Sequence, residues 1–377
     1  MSQTKVEAPF VANNANFRNL FINGDMSIAQ RATSATGLTG SSYPTIDRMA
    51  MQAASAGTWT QSQSTDVPTG EGFATSLKMD CTTANGSLSS GSYLIIDQRF
   101  EGQMLQHLKK GTSNSQKVTL SFFVKSAKTG TYIVNVRDDD NSRSISKSYT
   151  ISSADTWEKK VIVFDADTSG ALDNDNAQSF AVLFFLAAGS DRSSGTLATS
   201  WESLTNANRA VGQVNLADST DNDWYITGCQ LEVGDAATDF EHLPFDVNLR
   251  RCQRYCEVIC DTRSVGTGTF SSGDADESLG TAGACHGTRY AYMPFRFSTM
   301  KRSTAPTLLV SNDTDHFIMY NVLTNDKFST MTASGVNSST AMETYFDTGA
   351  TSNLTNGAAG FCRSYTAAAK ILVIDEL

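Results

Sequence analysis

Apolar and polar residues alternate with a period of two along much of this chain, a pattern that suits strands and that a helix cannot bury on one face. In VTLSFFVKS, Val118, Leu120, Phe122 and Val124 point one way while Thr119, Ser121 and Lys125 point the other. In TYIVNVRD, Tyr132, Val134 and Val136 share a face against Asn135 and Arg137. NLFINGDMSIAQR, TIDRMAMQ, TWTQSQST, WEKKVIVF, SFAVLFFLAA and WYITGCQLEV extend the strand-like series, separated by turns rich in Gly, Ser, Asn and Asp. About ten such strands before residue 235, with one short helix expected at FEGQMLQHLKKG (100–111), predict an all-β antiparallel sandwich of jelly-roll type.

Length and charge narrow the classes. The 377 residues exceed one ordinary core, and charged residues make up only 18 % of them. A net charge of −10 argues against phosphate-backbone binding, so no nucleic-acid partner is expected. The longest apolar run, Phe180 to Ala188, is nine residues, too short to span a bilayer of ~30 Å, so no membrane insertion is expected. The first residues, MSQTKVEAPFVANNANF, lack the apolar centre of a signal peptide. Seven cysteines at irregular spacing do not form a disulfide framework.

The texture changes once, at LPFDVNLRRCQRYCEVI. Leu249, Cys252, Cys256 and Ile259 fall at helical spacing, with Asp246 as the expected N-cap. The expected organisation is an N-terminal anchoring arm (1–19), a jelly-roll sandwich (20–245), a connecting helix (246–261) and a smaller C-terminal β domain (262–377).

RRCQRYCEVIC looks most like chemistry, and geometry argues against it. On a helix, Cys252 and Cys260 lie about 12 Å apart along the axis, whereas two sulfurs on one zinc can be no more than about 4.6 Å apart. Helical i,i+4 Cβ atoms at ~5–6 Å are also too distant for a disulfide. The four residues read instead as a packing face on which subunits meet.

DADTSGALDNDN (165–176) opens as a calcium loop does, with Asp165, Asp167, Ser169 and Asp173 as candidate structural ligands. Its twelfth residue is Asn176 rather than Glu, and a turn between strands uses the same residues. No cofactor is expected beyond that calcium. The four histidines show no metal-ligand spacing, and nucleophile-elbow and phosphate-loop motifs are absent, so no catalytic residue is assigned. Trp59, Trp157, Trp201 and Trp224 are candidate glycan contacts through their ring faces, although tryptophans at strand starts also serve as core lids. Arg31 with Asp47 and Arg48 is expected to form a hydrogen-bonded staple under the first strands.

NLFINGDMSIAQR, YPTIDRMAM, VTLSFFVKSAKTGTYIVNVRD, TWEKKVIVFDADTSG and WYITGCQLEVGDAATDFEHLPFDVNLRRCQRYCE, in this order, resemble a family of bacteriophage tail-fibre or receptor-binding virion proteins with a carbohydrate-binding-module-like jelly roll. YMPFRFSTMKRSTAPTLLV and AAAKILVIDEL resemble the small C-terminal β domain of the same proteins. Two features depart from that pattern: Cys256 stands where an aromatic is expected, and no long N-terminal shaft precedes the jelly roll. The resemblance implies a non-enzymatic virion protein that forms homotrimers, docks on other virion proteins through residues 1–19 and binds host-surface glycans. Two alternatives stay open, a capsid-decorating head fibre or cement protein and a glycan depolymerase.

Overall fold

The computed structural model describes residues 17–261, 281–286, 290–310, 317–321, 325–328, 330–347, 354, 356, 358–364 and 370–377. The expected anchoring arm lies outside them except for Phe17 to Asn19. The chain divides into two compact units, the first ending at Pro244 and also holding Leu377, the second running from Phe245 to Glu376.

The first unit contains β1 (Ser34–Leu38), β2 (Ala50–Ala54), β3 (Thr58–Ser64), β4 (Ser76–Thr83), β5 (Tyr93–Glu101), β6 (Val118–Ser126), β7 (Gly130–Asp138), β8 (Arg143–Ile151), β9 (Glu158–Phe164), β10 (Gln178–Ala188), α1 (Ser190–Ser193), β11 (Glu202–Ser203) and β12 (Asp223–Val233). They form two six-stranded sheets, ordered β1-β3-β4-β12-β6-β9 and β11-β8-β7-β10-β5-β2, with every named pairing antiparallel. This is a jelly-roll β-sandwich.

The period-two alternation builds its core. Leu120, Phe122 and Val124 of β6 and Ile226 and Leu231 of β12 face Val134 and Val136 of β7 and Val182 and Phe184 of β10, all essentially unexposed. The uninterrupted apolar run of β10 has a separate cause. Its other phase, Ala181, Leu183 and Phe185, joins Ile95, Ile133 and Ala210 in a second small core on the outside of the sheet. A strand buried on both faces needs no polar phase.

Two local expectations are corrected. FEGQMLQHLKKG forms two short 3₁₀ turns, Gly102–Met104 and Gln106–Leu108, because Lys109 (φ 51°) and Gly111 (φ 79°) turn left-handed and stop a helix. NLFINGDMSIAQR is not a strand. Asn23 donates to the carbonyls of Ile28 (2.9 Å) and Asp47 (3.1 Å) and accepts from Ile28 N (2.9 Å), so a side chain organises the turn. Gln98 likewise pairs with both backbone groups of Ile22, at 2.7 and 2.8 Å. Of the expected staple, Arg31 lies 3.8 Å from Asp47, whose carboxylate accepts from Gln30 N at 2.9 Å, while Arg48 donates to the Arg99 carbonyl at 2.6 Å.

The second unit opens with α2 (Phe245–Gln253), followed by β13 (Cys256–Asp261), β14 (Thr281–His286), β15 (Tyr290–Arg296), β16 (Thr307–Val310), β17 (Phe317–Asn321), β18 (Asn325–Phe328), β19 (Thr330–Asn337), β20 (Ala341–Asp347), β21 (Ala359–Ser364) and β22 (Lys370–Ile374). They make a three-stranded sheet, β13-β22-β16, and a seven-stranded one, β18-β17-β21-β14-β15-β20-β19. Cys285, Met293, Phe295 and Ile371 lie at the centre of their core.

The 246–261 helix is therefore half right. It ends at Gln253, with Asp246 inside its first turn rather than capping it. Tyr255 N donates to the Cys252 carbonyl at 2.9 Å and the chain continues as a strand, which the β-branched Val258 and Ile259 favour. Leu249 and Cys252 sit on the helix while Cys256 and Ile259 sit on β13, so the four share no helix face. Buried Lys301 donates to the Gln253 carbonyl and pairs with Glu257, fixing the point where helix gives way to strand.

Candidate functional site

The outer face of the first sheet carries a line of rings. Register places Lys125 of β6 opposite Tyr225, Phe123 between Thr227 and Lys159, and Ser121 between Gln230 and Val161. Trp157, just before β9, extends the line at the Lys125 end.

Trp157 is half-buried and held on two sides. Its Nε1 donates to Asp66 Oδ1 at 2.9 Å, and its ring meets Tyr225 edge-on at 6.1 Å between centroids and 67°. The Lys125 ammonium lies 4.3 Å from the centre of the Tyr225 ring and 5.9 Å from that of Trp157, and it also pairs with Asp66. Lys78 Nζ sits 5.5 Å from the Tyr225 centroid. Desolvation works to raise the Asp66 pKa, but hydrogen bonds from Lys125 and Trp157 outweigh it and hold the carboxyl below its ordinary range. Burial, with Asp223 nearby, pushes the Tyr225 phenol up to about 12. At neutral pH the rim is thus a carboxylate, two ammoniums and a neutral phenol.

Two residues along β6, about 6.8 Å away, the line opens into a cleft of ≈190 Å³. Phe73 is its centre, 5.6 Å from Phe123, 5.0 Å from Phe240 and 5.4 Å from His242. Glu71, Ser121, Lys159 and Asp239 supply polar groups around it. Gly228 makes the arrangement possible. It is left-handed (φ 63°) at the β12 register shift, and a Cβ there would approach Phe73 Cζ to 2.6 Å. The loop carrying Phe240 is held by Glu241, which accepts from the backbone N–H groups of Phe17 (2.6 Å) and Asn19 (2.9 Å). A larger hollow of ≈390 Å³ lies between Leu105 and Leu172, and no aromatic ring lines it.

A row of ring faces bordered by fixed donors and acceptors suits a sugar, whose C–H faces stack while its hydroxyls take hydrogen bonds. Of the four tryptophans expected there, only Trp157 takes part. Trp59 and Trp224 are 0 % exposed inside the sandwich core and present no face to a ligand, so their assignment as glycan contacts is corrected. Trp201 is half-buried elsewhere; its Nε1 donates to the Asp165 carbonyl at 2.7 Å and its ring tilts against Phe180. Tyr225, Phe73, Phe240 and His242 escaped the sequence reading. One signal was present: Phe123 occupies the outward phase of VTLSFFVKS, where a polar residue belongs.

The expected calcium loop holds a different cation. Lys110 Nζ reaches the carbonyls of Ser169 (2.8 Å) and Gly170 (3.0 Å) and the carboxylates of Asp138 (2.5 Å) and Asp167 (2.9 Å). Asp167 also receives Arg143 through Nε (2.7 Å) and Nη2 (3.1 Å). Asp165 pairs with Lys147 and Lys117, and Asp173 lies along the turn, its backbone N–H donating to Asp140. Asp165, Asp167, Ser169 and Asp173 therefore do not converge on one point. Among the described residues no group of three or more His, Cys, Asp or Glu is placed to hold a metal ion.

No protein-family model and no curated protein sequence matches the chain. Solved structures similar to it include the enzymatically active domain of tailspike protein 4 of bacteriophage CBA120, at 13 % identity and TM-score 0.31. That alignment covers 57 % of this chain but only 21 % of the tailspike chain. A putative sugar-binding protein from Bacteroides thetaiotaomicron aligns at 12 % identity and TM-score 0.30, covering 57 % of this chain and 99 % of its own. The family 11 carbohydrate-binding module from Clostridium thermocellum aligns at 13 % and 0.25, covering 58 % and 95 %. At these scores the likeness is one of general architecture and carries no argument about ligands.

Proposed function

We propose that the first unit is a non-enzymatic glycan-binding module and that the chain serves as a phage virion attachment protein, acting as a homotrimer on the host surface. The single observation behind glycan binding is the Trp157–Tyr225 pair continued by the Phe73–Phe123–Phe240 cleft on one sheet face. The virion role rests on the resemblance of the ordered sequence motifs to phage receptor-binding proteins. Weak stacking at each copy becomes firm attachment when three copies engage one surface.

Isothermal titration of the purified chain with host-surface oligosaccharides tests the reading. Saturable binding that weakens at least tenfold in Trp157→Ala is expected; binding unchanged by that substitution overturns the site. Sedimentation equilibrium tests the trimer, and shortening of the oligosaccharide during incubation would overturn the non-enzymatic assignment.

A further inference from the structure

The opposite sheet presents a second feature that glycan stacking does not use. Arg209 is 5 % exposed, yet no carboxylate lies within 4 Å of it among the described residues. Its Nε donates to Asn135 Oδ1 at 3.2 Å and its Nη1 to Asn206 Oδ1 at a long 3.5 Å, its Cζ lies 5.5 Å from the Phe185 ring centre, and among the described residues its Nη2 has no hydrogen-bond partner. A buried guanidinium left short of acceptors needs an explanation, and a site for an anion is a standard one.

Its neighbours add positive charge. Arg137 is two residues from Asn135 on the same outward face of β7. Arg192 is tied to the same segment, its carbonyl accepting from Ala210 N at 2.8 Å, and its guanidinium lies over Tyr93 at 3.9 Å. The acids of this face are already engaged. Asp139 holds Arg137 at 2.6 Å and Gln178, while Asp97 holds Arg99 at 2.9 Å and Gln52 at 2.8 Å. Burial above all, then Arg137 and Arg192, push the Arg209 pKa down to about 10, while Asp139 and Asp97 pull it back up. In a chain of net charge −10 such a group of arginines is out of keeping with its surroundings.

We propose that Arg137, Arg192 and Arg209 form an anion site on the outer face of the second sheet, taking a carboxylate, sulfate or phosphate oxyanion. Arg137 and Arg192 are half-buried and admit the anion, and Arg209 supplies the charge behind them. An acidic saccharide presents such a group, as does free inorganic anion.

The test titrates the full chain with galacturonate oligomers, matched neutral galactose oligomers, sodium sulfate and sodium phosphate, following heat of binding and melting temperature at constant ionic strength. Binding of at least one oxyanion-bearing probe, without binding of the neutral oligomer at this site, is expected. That binding should fall at least tenfold in Arg192→Gln, a half-buried position at the end of the short α1 turn, and in Arg209→Met. Sulfate or phosphate binding without galacturonate binding assigns the site to inorganic anions; the reverse assigns it to acidic glycans. No oxyanion binding, or binding unaltered in both variants, overturns the proposal and leaves Arg209 as a packing residue whose removal changes stability alone. Trp157→Ala should leave this binding intact, which separates its failure from that of the aromatic site.

Discussion

Trp157 and Asp66 stand 91 residues apart in the chain, and the hydrogen bond between them at 2.9 Å, with the edge-on Tyr225 ring on the other side, fixes the plane of the indole. A platform pre-set in this way binds without first ordering a side chain, a cost of about 0.5–1.5 kcal/mol per immobilised group. Asp66→Asn should therefore weaken glycan binding several-fold while leaving Trp157 in place. Titration calorimetry of that variant beside Trp157→Ala separates orientation from contact.

The same carboxylate sets a pH limit. Its pKa is depressed in the folded protein, so the Asp66 contacts are fully present above its unfolded value near 3.8 and are lost as pH falls through the lower folded value. Glycan affinity should hold level from neutrality to about pH 4 and decline only below it. A decline that begins well above pH 4 would rule out Asp66 as its cause.

Gly228→Ala should destabilise the first unit by about 1–3 kcal/mol, since it forces a left-handed alanine against the Phe73 ring. Denaturant unfolding measures the loss. Binding by the folded fraction should fall as well, because Phe73 must leave the floor of the cleft.

Lys110→Met removes the ammonium between Asp138 and Asp167 and leaves buried carboxylates without a counter-charge, although Arg143 still holds Asp167. A loss of about 3–5 kcal/mol is expected. A chelator should leave the melting temperature of the unaltered protein unchanged.

Five of the seven cysteines, Cys81, Cys229, Cys252, Cys256 and Cys285, are buried. A thiol reagent should thus label none of these five in the native protein and all seven cysteines once it is unfolded. Rapid native labelling of Cys252 or Cys256 would remove them from the interior of the second unit.

The sandwich was legible because period-two alternation reports directly which residues face a core, as in Val118 to Val124. The candidate site was less so. Tryptophan chemistry alone does not say which side of a sheet a ring occupies, and Trp59 and Trp224 turned inward. Phe73, Phe240 and His242 come from loops whose approach to β6 is set by tertiary hydrogen bonds such as those of Glu241, which leave no local pattern. RRCQRYCEVIC deceived for a related reason. Four-residue spacing favours a helix only while the chain keeps turning, and a two-residue turn at Arg254 and Tyr255 converts its second half to strand.

At the other end of the sandwich, the loop around Lys110 has its positive charge attached by covalent bonds. Its local concentration is fixed by a short side chain rather than by the surrounding fluid. The protein carried between salt-rich and salt-poor water would keep that turn closed in both.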